Sequence, residues 1–532
     1  MNSLLIAPRF PPTFWSYEPL LELVGKKALM PPLGLLTVAA LLPDSWTCRV
    51  VDCNVRPLTD QDWDWADIVM LSGMIVQKPH LLELISEARR RKKRVVVGGP
   101  YATALPDELR DAGADYLVLD EAELTLAPFL EALSQGVERG TFTAGGLKPD
   151  VTKTPAPRYQ LLDLNAYDSM SIQFSRGCPF LCEFCDIIVL YGRLPRTKQP
   201  AQVLAEMDHL YQLGWRGTIF IVDDNFVGNR KAAKQMLREL VSWQAARGFP
   251  FHFDTEASID LAQDPELLDL MVASGFRSVF LGIETPDTDS LERTLKLQNL
   301  RQPLDEAVGA ITGSGIRVMA GFIIGFDGEA AGAGSRIVSF VERTAIPTAF
   351  VSMLQALPGT ALWDRLIREG RLRETTTASG NQTFLTNFTP TRPLVQVAGE
   401  FVEAFERLYE PLAYLERSWR YFLALGATRR VARPLAAGPS VRDVLRSVPP
   451  MLRVFWRQGL IRRTRWRFWH HLASIVRRNP GALAEYITVC ALNEHFLVFR
   501  RLVRLGLDAQ LDEMRLPAPV IGVEPEPAVV GP

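Results

Sequence analysis

Three cysteines fall within eight residues in the stretch SRGCPFLCEFCDI: Cys178, Cys182 and Cys185, spaced C-x-x-x-C-x-x-C. The other three, Cys48, Cys53 and Cys490, lie apart and read as small buried side chains. Six cysteines in 532 residues do not make a disulfide scaffold, so a reducing compartment is expected. There, clustered thiols ligate metal or do redox chemistry. A structural zinc site takes four ligands, commonly as two separated pairs. No second cysteine pair follows here, and His252 lies far along the chain. Three thiolates on one loop instead suit three irons of a [4Fe–4S] cube, with the fourth iron left open. Zinc, or an accidental cluster, is the competing reading.

The elements that must position this loop are legible as alternation. Residues 1–135 carry the apolar runs SLLIAP, CRVVDCN, DIVMLSG, RVVVGGP and ADYLVLDE, separated by helical segments such as PLGLLTVAALLP and HLLELISEARRRKK. Strands apolar throughout, alternating with helices, predict a parallel sheet covered on both faces, a Rossmann-like α/β domain. Ligands gather at the C-terminal ends of such strands. Ser72, Gly73 and Met74 end the third run, Gly98, Gly99 and Pro100 the fourth, and Asp120 and Glu121 the fifth. Glycine there lets a backbone approach a ligand closely. The expected ligand is nucleotide-like or a corrin, and plain turns are the alternative. Residues 136–165, with GGLKPDVTKTPAPR, read as a linker without periodicity.

Residues 166–375 resume the alternation with MSIQFS, GTIFIVDDN, FHFDTEAS, SVFLGIET, RVMAGFIIGF and AFVSMLQALP. Six strands with interleaved helices predict a (β/α)6 partial TIM-type barrel, whose chemistry gathers at the strand C-terminal ends. The cysteine loop follows the first of these strands. Polar residues close the next four: Asp223, Asp224 and Asn225, then Glu256, Glu284 and Asp327. Singly, each could be a helix N-cap; in succession they mark a site.

Residues 376–515 are mostly helical in pattern, and 516–532 form a proline-rich tail expected to be disordered. Between Arg417 and Arg478 arginines recur, Asp443 is the only acid, and aromatics are interleaved, as in RVFWRQ and RRTRWRFWHH. Arginine with tryptophan on amphipathic helices suits an anionic membrane surface; a solvated helical cap on the barrel is the plainer reading. Net charge is −1, so nothing in the whole chain argues for nucleic acid, and no RNA-binding module accompanies the basic stretch. The N-terminus lacks a signal-peptide pattern, and no apolar run reaches the ~18 residues a membrane span needs. A cytoplasmic protein is the expectation, with membrane association through the basic aromatic region as its variant.

CPFLCEFC resembles the cluster loop of the radical S-adenosylmethionine (SAM) enzymes. VDDNF, TEAS, GIET, AGFIIGFDGE and ALPGTALW are similar to barrel segments of the subfamily with an N-terminal cobalamin-binding domain, including the hopanoid C-2 methylase branch with its extra C-terminal domain. PPLGLLTVAALLP is similar to the first helix of those cobalamin domains, and SGM and GGP to their corrin-contacting loops. The resemblance implies a [4Fe–4S] cluster on Cys178, Cys182 and Cys185, and S-adenosylmethionine near Phe184, Asp223, Asn225, Glu256, Glu284 and Gly321. It implies cobalamin near Ser72, Gly73, Met74, Gly98, Gly99, Pro100 and Glu121. The sequence departs from the family in two places. The cobalt-ligating D-x-H-x-x-G is absent, since VDCNVRP has Asp52 but no histidine two residues on. Met74 to Gln77 are then the expected lining of the lower face of a five-coordinate cobalt. The glutamate of GFIIGFDGE falls one residue later than in G-x-I-x-G-x-x-E.

The implied chemistry starts with one electron from a reductant such as flavodoxin or ferredoxin, which cleaves S-adenosylmethionine to a 5′-deoxyadenosyl radical. That radical takes hydrogen from an unactivated carbon of a lipid-like or other small molecule. Methylcobalamin then supplies a methyl group and is remethylated by a second S-adenosylmethionine. The competing outcomes are cyclisation or oxidation with the same cofactors, and a non-enzymatic cobalamin sensor.

Overall fold

The computed structural model describes residues 1–373, 383–434, 448 and 451–515. The expected tail, 516–532, lies outside the described residues.

The N-terminal sheet contains β1 (Asn2–Ala7), β2 (Thr47–Asp52), β3 (Ile68–Ser72), β4 (Arg94–Gly98), β5 (Tyr116–Val118) and β6 (Gly140–Phe142). All neighbours are parallel, in the order β2-β1-β3-β4-β5-β6. The apolar runs have a direct cause. Leu4, Ile6, Val69, Leu71, Val95 and Val97 pack into one core, while the alternating Leu5, Ala7, Ile68, Met70 and Val96 pack into another across the sheet. Both faces are covered, so neither set can be polar. β6 lies in the segment expected to be linker. It is an edge strand of three residues with no buried run, too short to announce itself.

The second sheet holds β7 (Ser169–Ile172), β10 (Gly217–Ile221), β11 (Phe251–Ala257), β12 (Phe276–Glu284), β13 (Arg317–Ile324) and β14 (Thr348–Met353), in that spatial order and parallel throughout. It curves without closing, so β7 and β14 remain edges. Between β7 and β10 a short antiparallel ribbon, β8 (Ser175–Arg176) and β9 (Arg196–Thr197), brackets the cysteine loop. Helix caps come from Asn229, Asp264 and Asp287. Asp224, Glu256 and Glu284 are therefore not spent on capping.

The C-terminal helices, among them Leu394–Leu408, Pro411–Ala424, Arg465–Arg478 and Leu483–Arg515, share one core with the barrel and with Phe14. Phe14 is fully buried and meets Phe350, Phe405, Tyr409, Phe496 and Phe499. Tyr409 closes the β14 edge: its hydroxyl accepts from Ala349 N at 3.0 Å and donates to Ala349 O at 2.7 Å. Covering an open edge this way prevents further strand pairing. The segment Pro480–Met514 is long and apolar enough to cross a membrane, but 56% of its most apolar window is buried inside the protein. It behaves as a core helix.

Candidate active site

Residues paired in register on parallel strands share a face. Glu256 pairs with Phe280, and Phe280 with Met319. Their neighbours Val279, Leu281, Val318 and Ala320 are fully buried toward the outer helices. Glu256, Phe280 and Met319 therefore line the inside of the barrel. Trp15, carried on the loop after β1, stacks on Phe350 (centroids 5.6 Å apart, 17° between planes) and meets Phe280 edge-on at 5.4 Å. The lumen thus has an aromatic wall partly supplied by the N-terminal domain. Gly321 serves this wall. A Cβ there would lie 2.8 Å from the Phe280 ring, so its hydrogen makes room for Phe280 rather than for a ligand.

Cys178, Cys182 and Cys185 lie on the loop inside the β8–β9 ribbon. Gly177 makes the entry turn at φ 94°, where a Cβ would strike the Gly192 and Leu194 carbonyls at 2.8 and 3.0 Å. Two amides aim at the thiols: Asn225 Nδ2 lies 3.8 Å from Cys178 Sγ, and Gln298 Nε2 lies 3.6 Å from Cys182 Sγ. Asn225 Oδ1 accepts from Ser258 N at 3.1 Å, which fixes its orientation. Burial pushes the thiols of Cys178 and Cys185 up. Ligation would reverse that cost, because a bound metal deprotonates its thiol outright. Among the described residues no three His, Cys, Asp or Glu side chains close on a single ion. Three thiols serving three irons of one cube have no need to. The donor set, its N–H donors and its burial fit a [4Fe–4S] cluster.

The predicted polar residues divide. Asp223 is buried, and its carboxylate accepts from Phe174 N at 2.8 Å, Ser175 N at 2.9 Å and Ser175 Oγ at 2.7 Å. It braces the start of the cysteine loop and has little left for a ligand, contrary to the expectation of a direct contact. Asp327 is likewise committed, to Arg365 at 2.7 Å and Arg371 at 2.6 Å. Arg365 also donates to Glu183 within the cysteine loop at 2.6 Å, so this network clamps the loop to the β13 end. Glu329 turns back on its own strand, accepting from Gly325 N at 2.9 Å. Glu256 differs: among the described residues no side chain forms an ion pair with it. Burial, then the charge of Asp224, pushes it up to about 8. Asp224 itself is pushed up to about 7, by burial and then by Asp223. A cation brought beside these two acids would favour their ionised forms.

Sequence reasoning missed Lys296. Its ammonium lies 2.7 Å from Glu284 Oε1 and 5.9 Å from the Phe184 ring centroid. Glu284 ends β12 at φ 64°, beside a register shift at Gly282, and this turn aims its carboxylate at the cysteine loop's neighbour. Phe184 itself rests 5.8 Å from Phe326. A lone lysine in TLKLQNL carries no local signal of such a role.

At the edge of the N-terminal sheet, Ser72, Gly73, Gly98, Gly99 and Pro100 come together. Gly99 has φ 87°, and a Cβ would lie 2.3 Å from Ser72 Oγ; one on Gly98 would lie 2.8 Å from Val118 O. Met74 projects from this edge, 53% exposed, while Gln77 is tied back by accepting from Met74 N at 2.9 Å. A flat edge of small residues with one protruding thioether fits a corrin face. His80 is not aimed there, since its Nδ1 accepts from Arg9 N at 2.8 Å. Glu121 corrects the expectation of a corrin contact. Both oxygens are taken across the domain boundary, by Arg176 at 2.8 Å and Arg196 at 2.8 Å, and Arg176 also reaches Glu123 at 2.9 Å. Arg176 and Arg196 are the two strands of the ribbon around the cysteines, so this pairing couples the two domains.

Three family models match the chain: a B12 binding domain over residues 26–130, the Radical SAM superfamily over 172–333, and a domain of unknown function, DUF4070, over 360–509. An uncharacterised methyltransferase of Synechocystis sp. is 58% identical over 512 residues, 96% of this chain and 94% of its own length. The hopanoid C-2 methylase of Rhodopseudomonas palustris is 36% identical over 506 residues, 94% and 93% of the two chains. Among solved structures, the cobalamin-dependent radical enzyme OxsB superposes with TM-score 0.58 at 16% identity over 98% of this chain and 82% of its own. The methyltransferase TsrM of Kitasatospora setae gives 0.55 at 18% over 74% and 82%. With a thiol loop on a six-stranded barrel and a doubly covered parallel sheet beside it, the chain belongs to the cobalamin-dependent radical SAM methyltransferases, enzymes of a [4Fe–4S] cluster, S-adenosylmethionine and cobalamin.

Proposed function

We propose that the chain methylates an unactivated carbon of an apolar, lipid-like small molecule. The observation that carries this is the Trp15–Phe350–Phe280 wall inside the barrel, which offers aromatic surface and few polar groups to a substrate. The hopanoid methylase relative supports the same class. When bound, the cluster and S-adenosylmethionine supply a hydrogen-abstracting radical, and cobalamin supplies the methyl group. Cys178, Cys182 and Cys185 hold the cluster, with Asn225 and Gln298 donating to the sulfurs. Glu256 takes the ammonium of S-adenosylmethionine, and Phe184 packs beside its adenine. Glu284 and Lys296 fix the charge balance near the loop. Met74 and the small residues after β3 and β4 receive the corrin. A flavodoxin- or ferredoxin-like protein delivers electrons, in the reducing cytoplasm that six free cysteines suit.

The test is anaerobic. Protein reconstituted with iron, sulfide and cobalamin is given S-adenosylmethionine with a deuterated methyl group, a reductant and a lipid extract. Label in a lipid, formed with 5′-deoxyadenosine and S-adenosylhomocysteine and absent from Cys182→Ala, is the expected result. Deoxyadenosine without label in any lipid would overturn it.

A further inference from the structure

Among the described residues the three exposed tryptophans lie within fourteen residues: Trp456 at 60%, Trp466 at 75% and Trp469 at 40% exposure. They belong to a helical hairpin, 451–461 and Arg465–Arg478, locked by Trp469, which stacks on Phe455 at 5.6 Å and donates to Gly459 O at 2.9 Å. A Cβ on Gly459 would lie 2.8 Å from the Trp469 ring, so the close approach of the two helices is built in. The first helix also exposes Leu452 and Leu460, which with Trp456 recur every fourth residue on one stripe. Ile461 adds a further exposed apolar side chain at the turn. Helices that bury one face on a core normally turn a polar face outward. Here the core-facing positions are filled already by Val454, Phe468 and Ile475. The exposed apolar side chains are a second apolar set, and a contiguous one of this kind marks an interaction site.

The charge of the hairpin says what kind. Residues 451–484 contain eight arginines and no acid. Arg457 and Arg462 are paired to Glu494. Among the described residues, Arg463, Arg465, Arg467, Arg477 and Arg478 have no carboxylate partner within ion-pair distance. Unpaired arginines beside exposed tryptophans are the composition of a helix lying in the interface of an anionic bilayer. The rings sit at headgroup depth, and the long arginine stems reach up to the phosphates.

We propose that this hairpin docks the enzyme on an anionic lipid bilayer, through Trp456 and Trp466 inserted at headgroup depth and through Arg463 and Arg467 on lipid phosphates. The proposal deepens the lipid-like substrate reading by naming where such a substrate is met. It is tested without turnover, so the two can fail separately. Full-length protein is sedimented with vesicles of phosphatidylcholine alone and of phosphatidylcholine with phosphatidylglycerol, with neither S-adenosylmethionine nor substrate present. Binding to the anionic vesicles that weakens with salt is expected, with little binding to the neutral ones. Arg463→Glu/Arg467→Glu should weaken it by roughly tenfold or more. Trp456→Ser/Trp466→Ser should weaken it without altering its salt dependence. All four positions are solvent-facing or on the turn, and unchanged thermal melting and iron content check that the variants fold. No binding to anionic vesicles, binding unchanged in the tryptophan variant, or single-stranded RNA bound more tightly than vesicles would each overturn the proposal. Methyl transfer to detergent-dispersed substrate should persist in both variants.

Discussion

Lys296 Nζ stands 2.7 Å from Glu284 Oε1, and the two form an enclosed ion pair beside the cysteine loop. Burial works against the ammonium's charge, but Glu284, Cys182 and Cys185 outweigh it and raise its pKa. A fixed cation near cluster thiolates favours the reduced, more negative cluster. Lys296→Met should therefore move the cluster's midpoint potential downward. A shift of about 59 mV would cut the ratio of reduced to oxidised cluster tenfold. Potentiometry followed by electron paramagnetic resonance reads this directly. Because the substitution also strands Glu284, Lys296→Met/Glu284→Gln, which removes both charges, should regain part of the potential as well as part of the stability lost. An unchanged potential would confine Lys296 to holding the β12 end.

Glu256 gives a pH dependence with a definite sign. Its folded pKa, about 8, lies above the usual 4.5 because of burial and then Asp224. The folded protein thus holds a proton that the unfolded chain releases, so this group's contribution to stability falls as pH rises from 4.5 to about 8. The ammonium of S-adenosylmethionine favours the ionised carboxylate. Binding should expel the proton, and affinity should rise with pH through about 8, by up to about tenfold per unit. Calorimetric titration at several pH values checks it. Glu256→Gln should flatten the profile and weaken binding; a profile unchanged by that substitution would remove Glu256 from the cofactor's contacts.

What was legible in the sequence follows from how local each signal is. The three cysteines are readable because all ligands of the cluster fall within one loop. The parallel strands are readable because alternate residues such as Leu4 and Leu5 enter opposite cores, which leaves no polar position. Asp223 and Glu256 look alike as acids at strand ends. Only the fold shows that Asp223 is turned back onto Phe174 and Ser175 while Glu256 faces the lumen. The roles of Lys296 and Glu121 were illegible for a different reason: Lys296 stands beside Phe184 of the distant cysteine loop, Glu121 acts on arginines of another domain, and their own neighbours carry no trace of it. The C-terminal helices read as a separate domain because charge pattern reports exposed faces. Their buried faces, such as Phe405 and Phe496, join the barrel core through Phe14.

Glu121 separates a corrin contact from a domain coupler. Arg176 and Arg196 take both of its oxygens. Removing one partner of a buried ion pair costs about 3–5 kcal/mol. Glu121→Ala should lower the unfolding midpoint and reduce iron retained after reconstitution, because the ribbon around the cysteines loses its anchor. Cobalamin affinity, followed by absorbance, should change by no more than a few fold. A large loss of cobalamin affinity with normal iron content would restore Glu121 to the corrin.

Arg417 is among the largest fully buried side chains of the described residues. Its guanidinium donates to Ile346 O at 2.9 Å, Leu408 O at 2.6 Å and Glu342 Oε1 at 2.7 Å, joining helix Pro411–Ala424 to the approach of β14. A planar fork satisfies three acceptors that a lysine ammonium cannot reach together. Arg417→Lys should destabilise by a few kcal/mol and Arg417→Leu by about 3–5 kcal/mol, since two carbonyls and Glu342 lose their donor. Arg420 offers the contrast. It also reaches Glu342, at 2.8 Å, but from a side chain 42% exposed. Arg420→Ala should cost less than about 1 kcal/mol. Urea unfolding of the three variants checks the ranking. Equal effects at 417 and 420 would mean that the helix is held by its apolar face alone, and that the buried guanidinium adds nothing.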